Sequence, residues 1–199
     1  MNDLSVRHQL LITSRKLFLK FGYSKVTMDE IAREMGMSKK TIYLYFPGKL
    51  KLMEDVIEEM KSEITQGVNK ILADASAPSL EKLKQVMIFT ADFLSSISPF
   101  VASDLERNVP ELWANLKSVK YELAFSNIKK LLTECMTSGK IRKDLSPDLL
   151  LMFYSAAFQY VRDTTFLNDF PKDIRQQIPS TGEQVFTEWV KICFEGLEK

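Results

Sequence analysis

The sequence predicts an all-α fold of about nine helices, and three observations support this class. Apolar residues recur at steps of three and four positions along most of the chain, which is the period of an amphipathic helix. Helix start and stop signals divide the chain at short intervals. The 199 residues include only 7 Gly and 7 Pro, too few for a loop-rich all-β protein. A helical chain of this length can bury a hydrophobic core of useful size.

Two helices are predicted within the first 36 residues. The first covers about residues 5–21, where apolar side chains form one stripe, and Gly22 follows as its C-cap. A capping box then begins the second helix, because the Thr27 hydroxyl and the Glu30 carboxylate can each accept a hydrogen bond from a backbone amide of the first turn. The second helix ends at Gly36.

A short third helix and a long fourth one follow. Ser38 is the predicted N-cap of the third helix, which must end before Pro47. The fourth runs from about Gly48 toward Ala73, and its apolar residues keep to steps of three and four. The segment 74–79 is the clearest break in the chain.

The remaining helices are predicted from start signals of the same kind. These signals lie at Ser79; at Ser103, in a capping box with Glu106; near Pro110; at Ser146, followed by Pro147 and Asp148; and at Ser180, in a capping box with Glu183. The helix that begins near Pro110 is expected to end at residues 138–140.

The composition argues against several classes of function. The single histidine, His8, lies near the N-terminus, so no Ser-His-Asp or Cys-His catalytic site is indicated. Cys135 and Cys193 are too far apart for a cysteine–histidine zinc site, and we expect no metal, no cofactor and no enzymatic activity. No apolar run reaches the length of a membrane span, and the N-terminus lacks a signal peptide. We therefore expect a cytoplasmic protein that does not enter a membrane.

Charge is distributed unevenly along the chain. Residues 1–50 hold nine Lys and Arg against four Asp and Glu, a net charge of +5. The remaining residues hold 18 basic against 22 acidic side chains, a net charge of −4. A basic first quarter on a mildly acidic body is typical of a protein whose N-terminal part binds a polyanion.

The second and third helices have the pattern of a helix-turn-helix. Two helices that cross closely need a small residue at the contact and a turn residue that tolerates positive φ; Ala32 and Gly36 meet these needs. The third helix then presents Lys39, Lys40 and Thr41 on its first turn, and in this motif the second helix lies in the major groove. The alternative is an ordinary helical hairpin.

The stretch TMDEIAREMGMSKKTIYLYFPGKLKLMEDVI, residues 27–57, resembles the TetR family of bacterial transcriptional regulators. The resemblance implies a DNA-binding role for eight residues. Thr27 and Ser38 would offer hydroxyls or capped amides to phosphates, Tyr43, Tyr45 and Lys49 would hold the DNA backbone, and Lys39, Lys40 and Thr41 would approach base edges. Lys40 departs from the family, in which many members carry a small residue at this position. Tyr43 packed on the first helix and Lys49 as a solvated lysine remain the alternatives.

The resemblance also divides the chain into a DNA-binding domain, residues 1–47, and a ligand-binding and dimerisation domain, residues 48–199. The run from Leu149 to Val161 is apolar almost all round, which predicts a helix buried on every side. By resemblance, the helices around 147–162 and 183–197 would pair with those of a second subunit. A two-fold dimer reads two half-sites, which one recognition helix alone does not.

Aromatic residues in the body are candidates for an effector site. By resemblance a cavity would be lined by Phe89, Phe93, Trp113, Tyr121, Phe125, Phe158, Gln159 and Arg162, and such a composition favours an apolar or planar ligand. Aromatic side chains at helical spacing are also typical of an ordinary core. We therefore expect a regulator, most simply a repressor, that binds a palindromic operator as a homodimer and is released by a small, largely apolar effector. The alternative is a helical regulator or carrier whose body binds a protein or lipid partner.

Overall fold

The computed structural model describes residues 3–162, 168–178 and 182–195. In these ranges the chain forms eleven α-helices and one π-helical segment, with no strand. The elements are α1 (Asp3–Phe21), α2 (Met28–Met35), α3 (Lys39–Tyr45), α4 (Lys49–Ala73), α5 (Ser79–Ser95), α6 (Pro99–Asn108), α7 (Pro110–Lys120), the π-helical segment (Tyr121–Ser126), α8 (Asn127–Thr137), α9 (Pro147–Arg162), α10 (Lys172–Arg175) and α11 (Gly182–Glu195). The all-α class is confirmed.

The helix count differs from the predicted nine at two places. α7, the π-helical segment and α8 follow one another without a break, and together they are the single helix predicted from Pro110 to about residue 138. α10 is one turn long and was not predicted, because four residues give too little periodicity to recognise. The predicted cap at Ser180 lies outside the described residues.

The start of α6 corrects one prediction. The helix begins at Pro99 and not at Ser103, which lies inside it. Ser98 is the N-cap, and its hydroxyl accepts a hydrogen bond from the Val101 amide at 3.3 Å. Proline at the first helical position adds to this signal, because its fixed φ suits a helix and its missing N–H is not needed there. The Ser98–Pro99 signal therefore prevails over the capping-box pattern that begins five residues after Ser98.

The chain divides into two compact units that do not follow the order of the sequence. The first comprises residues up to 63 together with 98–117, and the second comprises residues 64–97 together with those from 118 onward. α6 and most of α7 thus belong to the same unit as α1–α3. The predicted division at residue 47 concerns which residues bind DNA, and it stays a prediction.

The first unit is built around α1, which packs on α2 and on α6, while α2 also packs on α3. Its core consists of large apolar side chains at helical spacing, and it includes Leu10, Phe18, Ile31, Ile42, Phe46, Leu52, Met53, Ile57 and Met60. Burial of each of these side chains stabilises the folded state by about 1.5–3 kcal/mol. α2 and α3 are short, so this packing, more than helix propensity, determines their positions.

The second unit centres on α5, which packs against α8, α9 and α11. Its core contains one buried polar cluster. The Tyr154 hydroxyl donates to the Met87 carbonyl at 2.9 Å and lies 2.8 Å from the Thr90 hydroxyl. Phe186 meets the Tyr154 ring edge-on, with ring centroids 5.6 Å apart. Because each buried hydroxyl has partners, the cluster joins α5 to α9 without leaving a polar group unsatisfied.

One face of α9 is exposed, so the predicted burial of this helix on every side is not completed within a single chain. Leu149, Met152, Phe153 and Ala156 are exposed, whereas Tyr154 is buried. Steps of three, one and three residues place the four exposed side chains on a single stripe of the helix. We call these four residues the α9 stripe.

The described residues bear on two classes of function, membrane insertion and metal binding. No single helix there is long and apolar enough to span a membrane; α5 and α6 satisfy that length and composition only when they are taken together as a bent pair. The described residues also contain no group of three or more His, Cys, Asp or Glu side chains placed to hold a metal ion.

Candidate DNA interface

Helix α2 is fixed at both ends by short-range hydrogen bonds. The Glu30 amide donates to the Thr27 hydroxyl at 3.2 Å, and the Thr27 amide donates to the Glu30 carboxylate at 2.8 Å, which confirms the capping box. These bonds to Thr27 hold the pKa of Glu30 below its usual range. At the other end Gly36 has φ +62°, which only glycine adopts at little cost, and the Met37 amide donates to the Ala32 carbonyl.

Helix α3 follows after three residues, 36–38, and its own N-cap holds it. The Ser38 hydroxyl accepts a hydrogen bond from the Thr41 amide at 3.0 Å and lies 2.8 Å from the Thr41 hydroxyl. Ile42 is fully buried and fastens the helix to the core. The predicted helix-turn-helix is therefore present. The Ser38 and Thr41 hydroxyls thus already have a hydrogen-bond partner at the start of α3.

The structure distinguishes two neighbouring lysines that the sequence treats alike. The Lys39 ammonium donates to the Asp29 carboxylate on α2 at 2.8 Å, and this bond raises the pKa of Lys39. Within the described part of the chain, Lys40 has no ion pair and no hydrogen bond, and its side chain is exposed. Lys40 is thus the uncompensated cation on the surface of α3.

The other predicted contacts on α3 differ in exposure. Tyr43 is 44% exposed, so a large part of its ring and hydroxyl is open to solvent, whereas Tyr45 is half-buried. Leu44, which the sequence analysis did not single out, is 78% exposed. From the sequence alone, a leucine in this apolar segment would be assigned to the core. Leu44 lies two positions after the buried Ile42, however, and two positions correspond to opposite faces of a helix, so this spacing could have predicted its exposure.

Lys49 is held from within the first unit. Its ammonium donates to the Tyr23 carbonyl at 2.9 Å and to the Val26 carbonyl at 3.0 Å, and it lies 4.3 Å from the centre of the Tyr23 ring. Partial burial lowers the pKa of Lys49, although the Asp104 and Glu30 carboxylates oppose this shift. A lysine has three N–H donors, so one remains for a phosphate. Lys49 therefore fastens the loop between α1 and α2 to the start of α4.

Helix α6 holds the same loop from another side. The Ser24 amide donates to the Asp104 carboxylate at 2.9 Å, and the Lys25 ammonium lies 5.5 Å from the centre of the Phe100 ring. Gly22 has φ +87°, and a Cβ there would lie 3.0 Å from the Asp104 carboxylate and 3.1 Å from the Phe100 ring. The loop that leads into Thr27 is thus fixed by α6 as well as by Lys49.

Two arginines of the basic N-terminal part are paired with acids on α4. Arg7 forms an ion pair with Asp55, and Arg15 forms one with Glu63. Both pairs join residues 48 positions apart, so α1 and α4 run parallel. The excess positive charge counted in the sequence is therefore partly neutralised within the unit, which leaves Lys40 more prominent.

The candidate effector residues lie in both units, and each unit is described by itself. Trp113 is buried in the first unit. In the second unit Phe93 is buried and Phe89 is half-buried, with its ring against Gly67 of α4: a Cβ on that glycine would lie 2.1 Å from the ring.

The two aromatic residues of the π-helical segment contact each other. Tyr121 is 69% exposed and meets Phe125, which is half-buried, edge-on at 5.6 Å between ring centroids. The side chains of Phe158, Gln159 and Arg162 lie outside the described residues.

Comparison with known proteins matches this unit to a family. The family model for bacterial regulatory proteins of the tetR family covers residues 10–56, which run from the middle of α1 to the first two turns of α4 and include both helices of the helix-turn-helix. The chain belongs to the tetR family. It is a DNA-binding transcriptional regulator, and its all-α fold is the fold of tetR-family structures.

Similarity to tetR-family proteins extends beyond this domain. The chain is 29% identical to the HTH-type transcriptional regulator YvaF of Bacillus subtilis (strain 168) over 190 residues, 95% of this chain and 94% of YvaF. It is 28% identical to the HTH-type transcriptional repressor DhaR of Mycobacterium sp. (strain GP1) over 168 residues, 77% of this chain and 79% of DhaR. The crystal structure of AibR in complex with isovaleryl coenzyme A and operator DNA has a TM-score of 0.68 at 17% identity, covering 95% of this chain and 98% of AibR, so the fold is shared.

Proposed function

We propose that this tetR-family chain is a cytoplasmic repressor without enzymatic activity that binds a palindromic operator as a homodimer and is released by a small, largely apolar effector. The exposed face of α3 carries the proposal: Lys40, which has no ion-pair partner among the described residues, lies on a helix whose position is set by caps and a buried isoleucine. A recognition helix needs an exposed face that can contact base edges. It also needs a fixed position in its domain, because a mobile helix would contact the bases less specifically. We assign DNA binding to residues 1–47 and the effector to 48–199.

The α9 stripe supports dimer formation. Monomeric proteins rarely expose contiguous large apolar side chains, and such a surface is most simply covered by another chain. On α11, Ile192 is also exposed. We propose that the helices around 147–162 and 183–197 pair with the same helices of a second copy, because a two-fold operator requires two recognition helices one DNA turn apart.

The proposed effector binds among residues of the second unit: the aromatic residues Phe89, Phe93, Tyr121 and Phe125, together with Phe158, Gln159 and Arg162. Trp113 belongs to the first unit, and an effector contact at Trp113 is a separate prediction. Lined mainly by aromatic groups, such a site would favour an apolar compound. AibR was crystallised with isovaleryl coenzyme A, a ligand in which only the short acyl group is apolar, so short-chain acyl thioesters of coenzyme A are screened beside small apolar compounds. α4 runs unbroken from Lys49 to Ala73 and so offers a stiff connection from the effector to the DNA-binding helices.

The test has two stages. Purified chain is first used to select duplexes from a randomised library, and the protected sequence is mapped; we expect an inverted repeat whose half-sites are centred about 34–36 Å apart. Candidate compounds are then titrated into free and operator-bound protein. Because coupling is reciprocal, the effector should bind the operator complex about 5–150-fold more weakly than the free protein.

Two results of this test would count against the proposal. Equal effector affinity in both states would exclude release by that compound and favour a protein or lipid partner for the body. If the protein binds a single half-site as a monomer, the proposal of a homodimer is wrong.

A further inference from the structure

The outward ridge of α3 carries one cation and one apolar side chain. At about 100° per residue, Lys40 and Leu44 each lie about 160° from the buried Ile42 and about 40° from each other. They are therefore adjacent on the face that points farthest from the core. Tyr43 and Thr41 lie on its flanks, and Lys39 is turned toward α2, where Asp29 binds it.

Leu44 has no structural role that explains its position. It is 78% exposed, more than any other large apolar side chain among the described residues. The helix is held by Ser38 and Ile42, so α3 does not depend on Leu44 for its packing. A single exposed leucine is common on protein surfaces, so the observation that matters is its position: Leu44 lies beside Lys40 on the face of the recognition helix that points away from the core. The leucine therefore points to an apolar contact made by this face.

The major groove offers one apolar group, the C5-methyl of thymine, whereas a lysine can donate to O6 and N7 of guanine. The two side chains are one helical turn apart, about 6 Å along the axis, which corresponds to about two base pairs at 3.4 Å each. We propose that Leu44 is a specificity-determining residue that contacts a thymine methyl within two base pairs of the base contacted by Lys40. This inference rests on the proposed DNA-binding function of α3 and adds a base preference to it.

Deoxyuridine provides the test, because it lacks only the C5-methyl of thymidine and pairs with adenine in the same way. Each thymine of the selected operator is replaced in turn, symmetrically in both half-sites, and the dissociation constant is measured at fixed salt. At one thymine position we expect weakening of about fourfold per half-site, the value of one buried methyl group. At that position the Leu44→Ala variant should bind thymine and uracil duplexes equally.

Leu50→Ala is the matched control, because Leu50 is an exposed leucine of the same unit that lies on α4 and outside the recognition helix. It should keep the full sensitivity to uracil. Lys40→Ala should relax base preference at a position no more than about two base pairs from the sensitive thymine.

The outcomes separate this inference from the function on which it rests. A selected operator with no uracil-sensitive thymine, or with equal sensitivity in Leu44→Ala and in the wild type, would overturn the thymine contact and leave DNA binding intact. A chain that selects no duplex sequence at all would overturn both.

Discussion

Replacing Lys49 with methionine keeps an unbranched side chain of similar length and removes the ammonium, with its two hydrogen bonds to backbone carbonyls and its position over the Tyr23 ring. Hydrogen bonds from a charged group contribute about 1.5–3 kcal/mol each when they are well shielded. Lys49 is only half-buried, and the cost of its desolvation, visible in its lowered pKa, offsets part of this gain. We therefore expect the free energy of unfolding to fall by about 2 kcal/mol, and Tm by about 4–8 °C.

Thermal unfolding of the free protein measures this loss, and Lys40→Met is the control. Lys40 is an exposed lysine of the same unit without a partner among the described residues, so its replacement should leave Tm within about 1 °C. An unchanged Tm for Lys49→Met would refute the view that this lysine holds the loop between α1 and α2.

The same variant also tests the predicted phosphate contact. If the third N–H of Lys49 reaches a phosphate, the variant should weaken all duplexes alike, and the slope of log affinity against log salt should become less negative by about 0.9. A lower Tm with an unchanged slope would restrict Lys49 to its role in the loop.

Three further changes test other features. Phe153→Glu places a charge on the α9 stripe and should convert the proposed dimer to monomers in sedimentation experiments, with weak operator affinity; a dimer of normal affinity would place the interface elsewhere. Gly67→Ala should lower the free energy of unfolding by about 1–3 kcal/mol through its clash with the Phe89 ring, but should raise it by about 1 kcal/mol in a Phe89→Ala background, where only helix propensity remains; equal effects would show that the ring does not restrain α4. Glu30 has a lowered pKa, so its stabilising effect is present above its ordinary pKa of 4.5 and is lost as the pH falls through the lower folded value. The Tm of Glu30→Gln should accordingly lie below that of the wild type at neutral pH and approach it on acidification, and a constant difference would contradict this role.

The parts of the site that sequence alone predicted are those set by neighbours in the chain. The capping box at Thr27 and the turn at Gly36 depend on residues three to five positions apart, so the pattern contains the whole interaction. The pairing of Lys39 with Asp29 and the two carbonyl contacts of Lys49 cross between elements, 10 to 26 positions apart, and no local pattern encodes them. The predicted start of α6 was wrong for another reason: the sequence holds two start signals close together, and Ser98 with proline at the first helical position prevails over the capping-box pattern at Ser103.

The attachment of α6 to the loop before Thr27 means that the DNA-binding part of this chain is assembled from two separate stretches of sequence. A fragment ending at residue 47, or even at residue 63, would lack Asp104 and Phe100 and would leave the Ser24 amide and the Lys25 side chain without these contacts. The loop before α2 is therefore fully supported only after α6, which follows α5 in the chain, has packed against it. A chimera that joins the DNA-binding part of this chain to another regulator should therefore include α6. Without α6, the recipient protein would have to supply an acidic side chain at the position of Asp104.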